Sequence, residues 1–272
     1  MTSPMTVHHA RAAAQLLWQH RQAGTTVDAL PQDLRPAGLA DGHAIQAALP
    51  EVSGDAVAGW KIAATSAAGQ AHIHVSGPLP GRILRGFVSP IGQPVSLWGN
   101  RMRVVEPEFA FRFGQALAPL ARPREVAEVM QAVEALLPAF EVPDSRYTDF
   151  TVAGHAQLLA DDACCGRFVF GADAPAGWRA LDLAAHRVQA TVRASDGTQR
   201  LVREGEGRAA LGDPRVALTW LVNELNAIGL TLHAGEVVST GTCMVPVPVA
   251  PGDTVEADYG VLGRLALTLQ GA

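Results

Sequence analysis

Residues 101–114 read RMRVVEPEFAFRFG, an apolar run interrupted by Glu106-Pro107-Glu108. Strand side chains alternate between faces, so a strand here sets Glu106 and Glu108 on one side and Val105, Phe109 and Phe111 on the other. Two carboxylates on one face of a hydrophobic strand repel each other unless that face is solvated or a hard cation lies between them. Pro107 has no N–H for a ladder and suits an edge strand or a strand end.

Outward from this run the chain is a series of short apolar segments punctuated by Gly and Pro. They are AVAGWKIAAT (56–65), GRILRGFV (81–88), QPVSLW (93–98), GEVVSTGTC (235–243), TVEADYG (254–260) and GRLALTLQ (263–270), all read as strands. HRVQATVRASDGTQRLVREGEG (186–207) adds a hairpin, its turn at Ser195-Asp196-Gly197-Thr198. Helical spacing predicts a helix from Val7 to Gln22, then a short one from His43 to Leu49 capped by Asp41 and ended by Pro50. In ARPREVAEVMQAVEALLPAF (121–140) the stripe Val126, Val129, Met130, Val133 and Leu137 predicts a helix reaching Pro138. HAQLLADDACCG (155–166) suggests a short helix, and DPRVALTWLVNELNAIG (213–229) one that opens on Asp213-Pro214 and stops at Gly229. The expectation is an α+β fold, with an N-terminal helical segment over 1–55 and a β-rich domain over 56–272. Neither GxGxxG nor GxxxxGK[ST] occurs, which argues against a doubly wound nucleotide fold.

The chain's 272 residues, 48% hydrophobic and 17% charged, are enough for a sizeable core. Twenty-six acids against 21 scattered bases give a formal charge of −5, which excludes the basic footprint of a nucleic-acid binder. No apolar run approaches the roughly 18 residues of a membrane span, and the N-terminus lacks the order of a signal peptide, so a cytoplasmic location is expected. Cys164, Cys165 and Cys243 supply neither a disulfide framework nor zinc-ligand spacing. Of the 21 bases, Lys61 alone is lysine. In so arginine-rich a chain, an amine here suggests a need for a compact or deprotonatable cation.

Glu141, in AFEVPDSRY, is a third candidate acid, 35 residues after Glu106 and so able to return to the same sheet end. Three carboxylates without a neighbouring His or Cys pair make an all-oxygen site suited to Mg²⁺ or Mn²⁺. Asp144 is a weaker candidate, read as a turn residue working through Arg146. His72 and His74 share one face of a possible HIH strand, in a segment expected to cover the pocket. The two adjacent cysteines lack the partners of a thiol triad.

In order and spacing, GWKIAATS (59–66), VEPEFAF (105–111), PAFEVPDSRY (138–147), ADDACCGRFVFG (160–171) and GEVVSTGTCMVPVPVAPGDTVEADYGVLG (235–263) resemble the 2-keto-4-pentenoate hydratase branch of the fumarylacetoacetate hydrolase superfamily. The resemblance implies a mixed β-rich roll, homo-oligomer assembly and sometimes a complex with a pathway enzyme. It also implies a divalent ion held by Glu106, Glu108 and Glu141, with Lys61 as the catalytic amine. Ser66, Gly241 and Thr242 would bind the substrate carboxylate. The implied reaction is Mg²⁺-dependent addition of water to a 2-hydroxy-2,4-dienoate, giving a 4-hydroxy-2-oxo acid in aromatic catabolism. C–C hydrolysis of an acylpyruvate and vinylogous decarboxylation use the same metal-held enolate, and a catalytically silent partner subunit is the non-enzymatic alternative. Thr240-Gly241-Thr242 resembles the hydratases more than the TGG of decarboxylases. Pro78-Leu79-Pro80-Gly81 departs from a PDFG-like turn whose acid is absent here, and Asp162 replaces an amide in the ADNAS-like run.

Overall fold

The computed structural model describes residues 5–271. Three helices come first: α1 (Val7–Ala23), α2 (Leu39–Ala47) and α3 (Leu49–Ser53). The remainder runs β1 (Val57–Ala63), α4 (Ala67–His72), β2 (Leu79–Leu84), β3 (Val95–Ser96), β4 (Val104–Phe113), α5 (Val126–Ala132), β5 (Val133–Val142), α6 (His155–Ala160) and β6 (Arg167–Phe170). It continues with β7 (Arg187–Arg193), β8 (Gln199–Glu206), α7 (Pro214–Ala227), β9 (Val237–Thr242), β10 (Val247–Pro248), β11 (Thr254–Asp258) and β12 (Arg264–Gln270).

The strands form two sheets. One has the order β2-β1-β9-β4-β5-β6, with β10 also paired to β4, and the other the order β3-β12-β11-β7-β8. The main core lies between them. Phe109, Phe111 and Phe113 of β4 and Leu136 and Phe140 of β5 meet Val188 and Val192 of β7, Leu265 and Leu267 of β12, and the apolar face of α7. Because β4 alternates, its even-numbered residues look the other way, Ala110 packing with Ala135, Leu137 and Ala139 of β5, and a covering layer of α1, α2 and α6 reaches the larger sheet at β2. The covering layer has its own core, in which Ala10, Ala13, Ala14 and Leu17 of α1 pack with Ile45, Tyr147 and Ala160. No described helix is long and apolar enough to cross a membrane.

Local chemistry explains most element ends. Thr6 caps α1 by accepting from His9 N at 3.1 Å, and Gly24 ends it at φ 63°. Asp213 accepts from Arg215 N at 2.8 Å with Pro214 opening α7. The 195–198 turn forms as expected, Gly197 sitting at φ 85° and Thr198 N donating to Asp196 Oδ1.

Four local expectations are corrected. The helix predicted to reach Pro138 stops at Ala132, and Val133–Val142 is a strand paired with β4 and β6. Nine of its ten residues are buried, and in a segment buried on both faces an apolar run carries no period that separates helix from strand. Pro107 is in a central strand, in the gap where β9 pairing ends at Glu108 and β10 pairing begins at Val105, so its missing N–H removes no ladder bond there. Pro50 opens a new helix, and α2 begins at Leu39 with Asp41 inside its first turn, accepting from Ala37 N at 2.9 Å. His72 ends α4 and His74 follows at φ 53°, so HIH is a helix terminus and turn.

Candidate active site

Glu106 and Glu141 are direct cross-strand partners in the β4–β5 ladder, and Glu108 follows two residues on, opposite Ala139. One carboxylate oxygen from each of the three acids falls within 4.8 Å of the others. Like charges facing each other across a ladder are destabilising even at a surface, and here Glu108 and Glu141 are fully buried. Lys61 enters from β1, two strands from β4, and its Nζ lies 3.2 Å from Glu141 Oε2. It also donates to the Ala163 carbonyl at 2.9 Å.

Each acid is oriented by neighbours. Glu108 Oε2 accepts from Ser239 Oγ at 2.5 Å and from Gly241 N at 3.0 Å, both on β9. The register of β9 against β4 shifts between these residues, and Gly241 takes φ 91°. A Cβ at Gly241 would lie 2.4 Å from Thr65 Oγ1, so only glycine brings this amide to the carboxylate. Glu141 Oε1 accepts from Gly166 N at 3.3 Å. From the far side of the sheet, the buried Tyr259 hydroxyl lies 3.0 Å from both the Glu108 and Ala139 carbonyls and shares its one proton between them, tying β4 and β5 together behind the acids.

The remaining oxygens are the informative ones. Among the described residues, Glu108 Oε1 and Glu141 Oε2 have no hydrogen-bond donor, Lys61 lying near the latter without hydrogen-bond geometry. Three ionised carboxylates against one ammonium leave two formal negative charges, which a divalent cation balances. The acceptor-only, all-oxygen donor set and the two donorless buried oxygens fit such an ion.

Protons answer the same repulsion in the metal-free protein. Burial, with Glu141 adding to it, pushes Glu106 up to about 7. Burial and then the two neighbouring acids hold Glu108 well above the usual carboxylate range. Glu141 is raised by burial, with Lys61 pulling it back. For Lys61, burial works against the charge, but the surrounding acids, Glu141 foremost, hold its pKa above the ordinary value.

The structure therefore brings Lys61, Glu106, Glu108, Glu141 and the Gly241 amide together. Ser66 caps α4, its Oγ accepting from Gly69 N at 3.0 Å, and Thr242 Oγ1 donates to Met244 O at 2.7 Å. Asp144 holds the 101–102 backbone, accepting from Arg101 N at 2.9 Å and Met102 N at 3.3 Å, and pairs with Arg146. Burial pushes the Cys164 thiol up to about 12 and Cys165 well above its ordinary value, which keeps both as unreactive thiols. Leu79, in the position of the absent acid, is fully buried against Leu158, Leu159, Ala163 and Cys164.

Sequence reasoning missed Ser239, Tyr259, the Gly166 amide and the Ala163 carbonyl. Ser239 stands two residues before Gly241 in a predicted strand, a signal that was available. The two backbone groups belong to a stretch whose conformation has no sequence signature. Asp162, Ala163 and Cys164 take φ 57°, 53° and 59°, a left-handed run that costs L-residues roughly 1–2 kcal/mol each.

An α+β roll with an acidic, lysine-bearing cluster buried at the centre of its larger sheet is the architecture of a divalent-metal enzyme site. The fumarylacetoacetate (FAA) hydrolase C-terminal family model matches residues 80–270, and the chain belongs to that family. It is 30% identical over 264 residues to a 2-keto-4-pentenoate hydratase of Paraburkholderia xenovorans, covering 96% of this chain and 95% of that one. It is 35% identical over 223 residues to a 2-hydroxyhexa-2,4-dienoate hydratase of Comamonas testosteroni, covering 80% of each. Among solved structures, the 4-oxalocrotonate decarboxylase of Pseudomonas putida G7, complexed with magnesium and adipate, matches over 99% of both chains with a TM-score of 0.84 and 25% identity.

Proposed function

We propose that the protein is a Mg²⁺-dependent hydro-lyase that adds water to a 2-hydroxy-2,4-dienoate, giving a 4-hydroxy-2-oxo acid in aromatic catabolism. The observation that carries this reading is the convergence of Glu106, Glu108 and Glu141 beside the buried Lys61, in a chain similar along most of its length to dienoate hydratases. Glu106, Glu108 and Glu141 would hold Mg²⁺, or Mn²⁺ in its place. When bound, the ion supplies Lewis acidity toward the substrate's carboxylate and 2-oxygen. Lys61 Nζ, held by Glu141 and the Ala163 carbonyl, moves the proton that ketonises the dienol. Ser239 and the Gly241 amide keep Glu108 turned toward the cluster. Ser66, Gly241 and Thr242 would receive the substrate carboxylate: the Ser66 O–H is free to donate while its oxygen accepts from Gly69 N, the Thr242 hydroxyl would release Met244 O, and the Gly241 amide would share its proton with Glu108.

In this reading residues 56–272 form the catalytic unit and 1–55 the N-terminal helical segment, whose described residues reach the catalytic unit where Gln46 Nε2 donates to Pro80 O at 2.7 Å. The protein works in the cytoplasm as a homo-oligomer, with a pathway enzyme as a further partner. Full-length similarity to a decarboxylase structure makes decarboxylation the second reading.

The test is the ultraviolet absorbance of freshly generated 2-hydroxypenta-2,4-dienoate with the protein, with Mg²⁺ and then with EDTA, beside 4-oxalocrotonate and acetylpyruvate. Mg²⁺-dependent loss of the dienoate is the expected result. Turnover of 4-oxalocrotonate alone would assign a decarboxylase, and of acetylpyruvate alone a C–C hydrolase.

A further inference from the structure

The left-handed run Asp162-Ala163-Cys164 lies against β2, the edge strand of the larger sheet. Residues other than glycine visit this conformation singly, and a run of three persists only where the surroundings over-determine it. They do so here. Asp162 Oδ1 accepts from Arg82 N, on β2, at 2.6 Å. Cys165 N donates to Asp162 O at 3.0 Å, and Asp144 N donates to Cys164 O at 3.1 Å. Gly81 makes the close approach possible, because a Cβ there would lie 2.6 Å from Asp162 O and 2.9 Å from Lys61 Cγ and Cδ. The product of this arrangement is one carbonyl, Ala163 O, turned inward onto Lys61 Nζ at 2.9 Å.

We infer that the 162–164 turn, clamped to the edge of β2 by the Asp162 carboxylate, fixes the direction of the Lys61 ammonium, and that Asp162 is a positioning residue for the lysine. An ammonium has three donors on a freely rotating end of a flexible stem. Glu141 draws it toward the acids from one side, and Ala163 O holds one donor on the other. Without the second tether the buried charge would collapse onto the carboxylates. The clamp needs an acceptor oxygen at the Oδ1 position, which asparagine also supplies and alanine does not.

Lys61 is the only lysine of the chain, so protein labelled with ¹³Cε,¹⁵Nζ-lysine gives a single side-chain signal. Its spectrum is compared in the wild type, Asp162→Asn, Asp162→Ala and Asp162→Glu, the last keeping the charge but lengthening the arm. Dienoate kinetics and Mn²⁺ affinity accompany it. Asp162→Asn is expected to keep the Lys61 signal and a kcat within about threefold of wild type. Asp162→Ala and Asp162→Glu are expected to shift or broaden the signal and lower kcat at least about tenfold, with KM and Mn²⁺ affinity changed less than about twofold. If Asp162→Ala does not fold, Asp162→Glu carries the comparison. An unchanged Lys61 signal in the folded variants, or equal losses in Asp162→Asn and Asp162→Ala, would overturn the inference. The kinetic arm rests on the hydratase reading; a wild type without dienoate turnover would sink that reading and leave the lysine signal to decide this one.

Discussion

The two sheets of this protein differ in how openly the sequence declares them. In the five-stranded sheet, β12 alternates buried and exposed residues along its whole length and β7 nearly so, because one face meets the core and the other meets water. In the seven-stranded sheet, nine of ten residues of β5 are buried, as are seven of ten in β4. All three acids of the cluster, Glu106, Glu108 and Glu141, are in the second sheet. A face that must exclude water to raise the strength of its charges also loses the polar alternation by which a strand is recognised. The easily read half supports the core, while the half that is hard to read holds the acid cluster.

The sharpest way to break this contrast is to remove one acid. Glu108→Gln is expected to lower Mg²⁺-dependent turnover by on the order of a thousandfold, measured by dienoate absorbance, with the far-ultraviolet circular dichroism unchanged. Next in size is Leu136→Ala in β5, which empties space in the fully buried core and should lower the unfolding free energy by about 2–5 kcal/mol in urea.

Protonation gives a smaller effect with a defined sign. Glu106 is raised to about 7 in the folded, metal-free protein, so folding favours its protonated form. That contribution is complete below the unfolded carboxylate pKa near 4.5 and is lost as pH rises through about 7. The melting temperature of EDTA-treated protein should therefore fall between about pH 5 and about pH 8, and the rise produced by added Mn²⁺ should grow over the same range. A metal-induced rise that shrinks with pH would contradict the assignment. The smallest effect belongs to the legible sheet: Val202→Ala, at a 43% exposed position on β8, should change stability by less than about 0.5 kcal/mol.

Much of the site was legible residue by residue. The shared face of Glu106 and Glu108 follows from strand parity alone, and Lys61 stands out as the single lysine. Distance along the chain places Glu141, although the helical stripe of the segment leading to it is misleading: that segment is a strand that sets Glu141 directly across from Glu106. What could not be read was backbone. The left-handed turn that offers Ala163 O to Lys61, and the register shift that brings Gly241 N to Glu108, arise from packing between elements far apart in sequence. Tyr259 lies in a motif already singled out, but its role depends on a sheet-to-sheet contact that no local pattern encodes.

The most direct measurement is a Mn²⁺ titration of metal-stripped protein followed by electron paramagnetic resonance, in the wild type and in Glu106→Gln, Glu108→Gln and Glu141→Gln. One bound ion per chain is expected in the wild type, with affinity weakened by on the order of a hundredfold in each variant. A wild type that binds no Mn²⁺, or three variants that bind it undiminished, would contradict the metal-site assignment.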